Sequence, residues 1–180
     1  KANRTSLSSF RGPGLEAVRD VKDLWLIKPN REELAELASA AVDTDEAVRD
    51  AAGALRRRID EVAVTLGAGG AMLFAARRLA GPPHLDPDAV INTVGAGDAF
   101  LAGYVHHHAR HEPPKACLRY AVACGTAATL QVRAGQINPY DVDAAAVVDH
   151  EPRIAEFRRL RTVEVHAGRH AGQVEEQPFL

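Results

Sequence analysis

Aromatic residues make up only 5% of this 180-residue sequence, with a single tryptophan, and cysteine occurs just twice. Two cysteines cannot build a disulfide framework. Cys117 and Cys124 fall seven apart in one expected helix, on the same side but about 10 Å apart along its axis, too far to bridge each other. They read as small buried thiols in a reducing cytosol. No apolar run approaches a membrane span, and Lys1 to Phe10 has no hydrophobic signal core. The chain is therefore expected to be cytoplasmic, with no membrane partner. An excess of positive charge is also missing, since the formal net charge is -2. That removes the broad basic field a nucleic acid partner would require. The local runs Arg56-Arg57-Arg58 and Arg158-Arg159 read as solvated helix faces.

What remains is ordinary for a globular chain, 46% hydrophobic and 26% charged, and long enough for one domain with a substantial core. Residues 1–14 are polar and rich in breakers, and read as an irregular start. A short helix is expected over Leu15 to Val21. Leu24-Trp25-Leu26-Ile27 reads as a buried strand stopped by Lys28-Pro29-Asn30. Asn30 can cap a helix in which Leu34, Leu37 and Ala38 recur. A second helix is expected over Thr44 to Ile59, then a strand over Val62 to Leu66 that ends in Gly67-Ala68-Gly69-Gly70. Ala71 to Ala75 and Arg77 to Ala80 read as a hairpin, Gly81 to Pro87 as a loop, and Ala89 to Asn92 as a brief strand or bridge. Two long helices follow, Ala96 to His111 and Pro114 to Val132. Apolar strands alternating with helices argue for an α/β fold with a parallel sheet. Ile154, Phe157 and Leu160 line one helix face, Thr162 to Val165 suits a strand, and the end from His166 reads as a frayed tail.

One stretch raises a chemical question. Thr93-Val94-Gly95-Ala96-Gly97-Asp98 places a glycine-rich turn at a helix start, so several unpaired N–H groups and the helix dipole face any approaching anion. Asp98 could simply cap those amides. It could equally take a proton from a hydroxyl attacking a phosphoryl group that the amides hold. The stretch is not a Walker A loop, because no Gly-Lys-Ser/Thr follows. Nor is it a dinucleotide fingerprint, because Phe100 stands where the third glycine belongs. His106-His107-His108 with His111 invites a metal reading, but consecutive helical residues point about 100° apart, so only pairs such as His107 and His111 share a face. A stack of histidines is the simpler account, and Trp25 is most simply core.

Three stretches in order, Leu26-Ile27-Lys28-Pro29-Asn30 with Glu33, Val64-Thr65-Leu66-Gly67-Ala68-Gly69-Gly70, and Asn92 to Asp98, resemble the ribokinase-like (PfkB) carbohydrate kinases. The Lys-Pro-Asn form is similar to the branch that phosphorylates sugar phosphates, such as 1-phosphofructokinase and tagatose-6-phosphate kinase. The resemblance runs from about Leu15 to Val142. It implies a three-layer α/β fold, a parallel sheet flanked by helices, with ATP and Mg²⁺ as cofactors and a sugar or sugar phosphate as the acceptor. Fructose 1-phosphate, fructose 6-phosphate and tagatose 6-phosphate are the candidates. Asp98 matches the family's catalytic base, and Gly95, Ala96 and Gly97 match its anion hole. Asn30 and Glu33 match the element that organises Mg²⁺ and phosphates, largely through water. Lys28 matches a lysine beside the nucleotide phosphates, and Thr65, Gly67 and Gly70 match the loop near the nucleotide. Gly125 and Ala128 lie where the adenine runs past a helix, although close helix packing explains the same small residues.

On this reading residues 15–150 are the C-terminal portion of a kinase domain, and 151–180 a helix, a strand and a tail. The N-terminal strands and the lid over the sugar are expected to be missing. That leaves association into a homodimer or larger assembly open. A truncated, non-catalytic nucleotide-binding fragment is the alternative from another class, and a nucleoside or vitamin kinase of the same superfamily is a third. Asn92 departs from the Asp of many relatives.

Overall fold

The computed structural model describes residues 5–7, 21, 24–76, 78–81 and 89–147. The helix expected over Leu15 to Val21, the loop after Gly81 and everything expected beyond Val147 lie wholly or almost wholly outside the described residues.

Five strands form one sheet in sequence order: β1 (Thr5–Leu7), β2 (Leu24–Ile27), β3 (Glu61–Thr65), β4 (Ala71–Phe74) and β5 (Arg78–Gly81). β1, β2 and β3 run parallel, with Leu26 opposite Glu61 and Ile27 opposite Val62. β4 and β5 turn back antiparallel, as a hairpin requires. The sheet is thus mixed, with the expected parallel order confined to its first three strands. Residues 1–14 are not irregular throughout, because Thr5–Leu7 pairs with β2 across one register shift.

Alternation along β3 and β4 builds the layers. Val62, Val64, Met72 and Phe74 face α1 (Arg31–Ala38) and α2 (Asp45–Leu55), where Leu34, Leu37, Val48 and Ala52 close the core. Ala63, Leu73 and Ala71 point the other way, with Leu26, onto α3 (Ala96–Ala109) and α4 (Pro114–Thr129), meeting Phe100, Tyr104, Cys117, Leu118 and Ala121. Each large apolar side chain so enclosed contributes roughly 1.5–3 kcal/mol. These are three layers, helix, sheet and helix. A further helix, α5 (Pro139–Val147), packs Val142 against the small residues of α3 and α4.

Ala89 to Asn92 is not a strand. The amides of Ile91 and Asn92 both donate to one carbonyl, Thr129 O, at 2.9 and 3.1 Å. A ladder cannot do this, because successive strand amides point to opposite sides. Both cysteines are buried and free, as expected. Among the described residues no helix is long and apolar enough to cross a membrane. Nor does any group of three or more His, Cys, Asp or Glu there suit a metal ion. The histidines instead stack on aromatics: His107 lies 3.9 Å from Tyr120 between ring centroids, and His108 lies 4.3 Å from Trp25. Trp25 is accordingly half-buried rather than fully enclosed.

Candidate functional site

β2 ends in Lys28-Pro29-Asn30, and the ladder with β3 continues one step further there. Thr65 N donates to Pro29 O at 3.0 Å, and Asn30 bridges Thr65. Proline has no N–H to spare and its fixed φ directs the chain out of the sheet. Asn30 then caps α1 reciprocally: its Oδ1 accepts from Glu33 N at 2.7 Å, while Glu33 Oε2 accepts from Asn30 N at 2.8 Å. The capping reading of this pair therefore holds in full. It does not account for the burial of Glu33, which is 5% exposed, since first-turn acids usually lie in water.

Lys28 is 4% exposed, which rules out a loose charge at a strand end. Burial pushes its pKa below the usual lysine range, and the negative charges of Glu33 and then Asp98 push it back up. Asp98 belongs to α3, seventy residues further along, and is exposed. Leu26 of β2 and Phe100 of α3 share one buried cluster, which brings the start of α3 to the end of β2.

The first turn of α3 lacks a capping side chain. Gly95 is the cap residue at φ +86°, and no side chain caps the helix, so the amides of Gly97 and Asp98 receive no capping oxygen. Gly95 is required twice over. Its φ disfavours any side chain, and an added Cβ would lie 3.0 Å from Gly135 N. Ala96 N reaches Thr93 O at 3.3 Å, and Asn92 Oδ1 accepts from Val94 N at 2.9 Å. From the β3 end, Gly67–Gly69 forms a 3₁₀ turn closed by Leu66 N on Gly70 O at 2.7 Å, with φ +57° at Gly67 and +83° at Gly70. An added Cβ at Gly67 would meet nothing within 4 Å, so this turn borders open space.

Lys28, Asn30 and Glu33 thus sit past β2, Thr65, Gly67 and Gly70 at the end of β3, and Gly95 to Asp98 where α3 begins. This is the carboxyl end of the parallel strands, where open α/β sheets take their ligands. Chemically the place offers uncapped amides at a positive helix end, a buried lysine and an exposed carboxylate, a set suited to an anion with a proton to be moved beside it. Gly125 stands apart. Its absent side chain faces Ala96 O at 3.2 Å and Phe100 Cβ at 3.4 Å, so it lets α4 close against the start of α3.

Two features lie beyond the motifs. Asn92 also donates through Nδ2 to Val132 O at 3.2 Å. Val94 and Val132, on the two segments that the Asn92 side chain joins, are both exposed apolar residues beside the glycine turn. Their proximity arises from a loop forty residues downstream and has no local signature. The start of α5 had one, since Asn138 accepts from Tyr140 N at 3.1 Å and Pro139 follows at the first helical position.

A family model described as pfkB family carbohydrate kinase matches residues 5–140. The chain is 38% identical over 114 residues to the 1-phosphofructokinase of Escherichia coli (strain K12), which covers 62% of this chain and 36% of that protein. Among solved structures it is similar to phosphofructokinase-2 from Escherichia coli in complex with potassium, with a TM-score of 0.70 and 27% identity over 75% of this chain and 44% of that one. Its fold is also that of Arabidopsis thaliana ribokinase complexed with ribose and ATP, at a TM-score of 0.63 and 23% identity, covering 71% of this chain and 42% of that chain. The chain spans about a third of the length of the curated relatives it matches, 35% and 36% in two of them.

Proposed function

The chain belongs to the pfkB family of carbohydrate kinases, and on that premise we propose that it serves ATP-dependent phosphoryl transfer to a hydroxyl of a sugar phosphate. The observation that carries the reading is the convergence of Lys28 past β2, Glu33 in α1 and Asp98 in α3 at a helix start without a cap. A helix cap alone would need neither a buried lysine nor a buried glutamate. The name of the similar 1-phosphofructokinases makes fructose 1-phosphate the first acceptor to try, ahead of fructose 6-phosphate and tagatose 6-phosphate.

Mg·ATP would supply the phosphoryl group, and the residues present suit it. In the turn formed by Gly95, Ala96 and Gly97, where Ala96 N already donates to Thr93 O, the uncapped amides of Gly97 and Asp98 would face the transferring oxygens, where fixed donors stabilise charge that grows in the transition state. Asp98, exposed beside them, would accept the proton of the attacking hydroxyl, a role worth roughly 10² to 10⁴ in rate. Lys28 would offset phosphate charge from within the protein, and the phosphates would in turn favour its protonated form. Asn30 and Glu33 would order the water around Mg²⁺. Their bonded atoms are committed to each other, leaving the second oxygen of Glu33 for that work. Thr65, Gly67 and Gly70 leave room for the ribose and phosphates. The exposed Val94 and Val132 beside the turn would take the face of the base. Gly125 would serve indirectly, by setting how closely α4 supports the anion turn.

The test is ADP release by the purified chain with Mg·ATP and a panel of hexose phosphates, set against Asp98→Asn. Turnover that depends on one sugar and falls about 100-fold or more in the variant is the expected result. Mg·ATP binding with no sugar-dependent turnover would assign the chain to nucleotide binding alone, and no binding at all would remove the reading.

A further inference from the structure

Asn92 has no part in the chemistry just described, yet all of its polar groups but the backbone carbonyl are engaged. Its backbone N donates to Thr129 O at 3.1 Å, its Oδ1 accepts from Val94 N at 2.9 Å, and its Nδ2 donates to Val132 O at 3.2 Å. We propose that Asn92 is a positioning residue, a carboxamide clamp that fixes the glycine turn ahead of α3 against the loop following α4. The proposal rests on the phosphoryl-transfer reading, because it assigns the clamp to aligning the anion-facing amides with whatever the loop holds.

The chemistry of the side chain singles out an amide. One of its atoms faces an N–H and must accept, while the other faces a carbonyl and must donate. Aspartate would keep the first bond and set two oxygens against each other at Val132. Serine would keep an acceptor for Val94 N and be too short for Val132. Backbone bonds from Ile91 and Asn92 already anchor this segment to the end of α4. The side chain therefore adds the orientation of Thr93 to Gly95, and not the attachment itself.

The two backbones have little slack between them. A single Cβ at Gly95 would fall 3.0 Å from Gly135 N. Turning the glycine turn away from the loop would therefore shift the amides of Gly97 and Asp98 as a unit, and a displacement near 1 Å at reacting groups can cost about 10² in rate. Both side-chain bonds are solvent-exposed, so they hold little of the global stability, and water can replace their strength but not their direction.

The experiment compares wild type with Asn92→Asp and Asn92→Ser by amide hydrogen exchange in the absence of nucleotide, and by kcat and KM for ATP. Both variants should exchange faster at Val94 to Asp98 and at Val132 to Gly135, with α1 and α2 unchanged. Their kcat should fall about 10- to 100-fold with KM for ATP within about threefold, the pattern of an interaction felt in the transition state. Serine carries no charge, so it supplies the same comparison where aspartate disturbs folding. Wild-type exchange at Val132 to Gly135 together with wild-type kcat in either folded variant would overturn the clamp. If wild type neither binds Mg·ATP nor turns over, the phosphoryl-transfer reading fails, while the exchange comparison still decides whether Asn92 joins the two segments.

Discussion

Gly95 and Gly67 both adopt positive φ, and only one of them is crowded. At Gly67 an alanine would meet open space and bear only the conformational penalty, about 1 kcal/mol. At Gly95 the same change adds a contact of 3.0 Å with the backbone of Gly135. Gly95→Ala should therefore cost about 1–3 kcal/mol, more than Gly67→Ala, by urea denaturation of the two variants side by side. Sequence alone marked both glycines as turn residues. It could not rank them, because the atom that makes Gly95 indispensable lies forty residues away. The thiols behave alike for another reason. Burial pushes Cys117 up to about 11, helped by the charge of Glu61, and burial pushes Cys124 up to about 11 as well. A raised thiol holds its proton in the folded chain after the unfolded chain has lost it. This contribution to stability is complete below pH 9 and declines as pH rises toward about 11. At pH 8 iodoacetamide should label neither cysteine in the native protein and both in urea, as read by mass spectrometry.

At the scale of the element, the first turn of α1 carries both a capping box and a buried carboxylate. Asn30 and Glu33 form a capping box, and Glu33 is also buried beside Lys28. Glu33→Gln separates the two. Glutamine satisfies the box, so unfolding free energy should change by less than about 1 kcal/mol. The charge that raises Lys28 is lost, so its pKa falls further and it becomes a poorer partner for phosphate. A weakened Mg·ATP affinity in calorimetry, with the urea midpoint held, is the expected outcome. The strand expected at Ala89 to Asn92 shows the opposite limit of local reading. A short apolar run fits a strand, and the bifurcated bond to Thr129 O that overrides it comes from α4. The alanines of α5 give no amphipathic stripe in the sequence, and only Asn138-Pro139 marks its start. α3 and α4 meet through small residues, where a Cβ at Gly103 would sit 2.8 Å from Cys124 Sγ. Gly103→Val should destabilise the chain by about 1–3 kcal/mol, measured as a lowered urea midpoint.

Across the whole molecule, the layers were legible because apolar strands alternate with helices along the chain, as a sheet covered on both faces requires. The pairing of Thr5–Leu7 with β2 was not, since three residues in a polar context carry no periodic signal. The convergence of Lys28, Glu33 and Asp98 was legible only through the family resemblance, because nothing in their spacing brings β2 under α3. The helix that opens at Ala96 leaves its first amides without a capping side chain. The expected partner of these amides is an anion from solution, so stability should depend on the choice of buffer. Sulfate or phosphate at ten times its dissociation constant would add about 1.4 kcal/mol to the folded state. Against chloride of equal ionic strength this would appear as a higher melting temperature, and Gly95→Ala, whose turn is displaced, should lose most of that increment. On the proposed function the same buffers would compete with Mg·ATP, so the ADP-release test belongs in chloride and not in sulfate or phosphate.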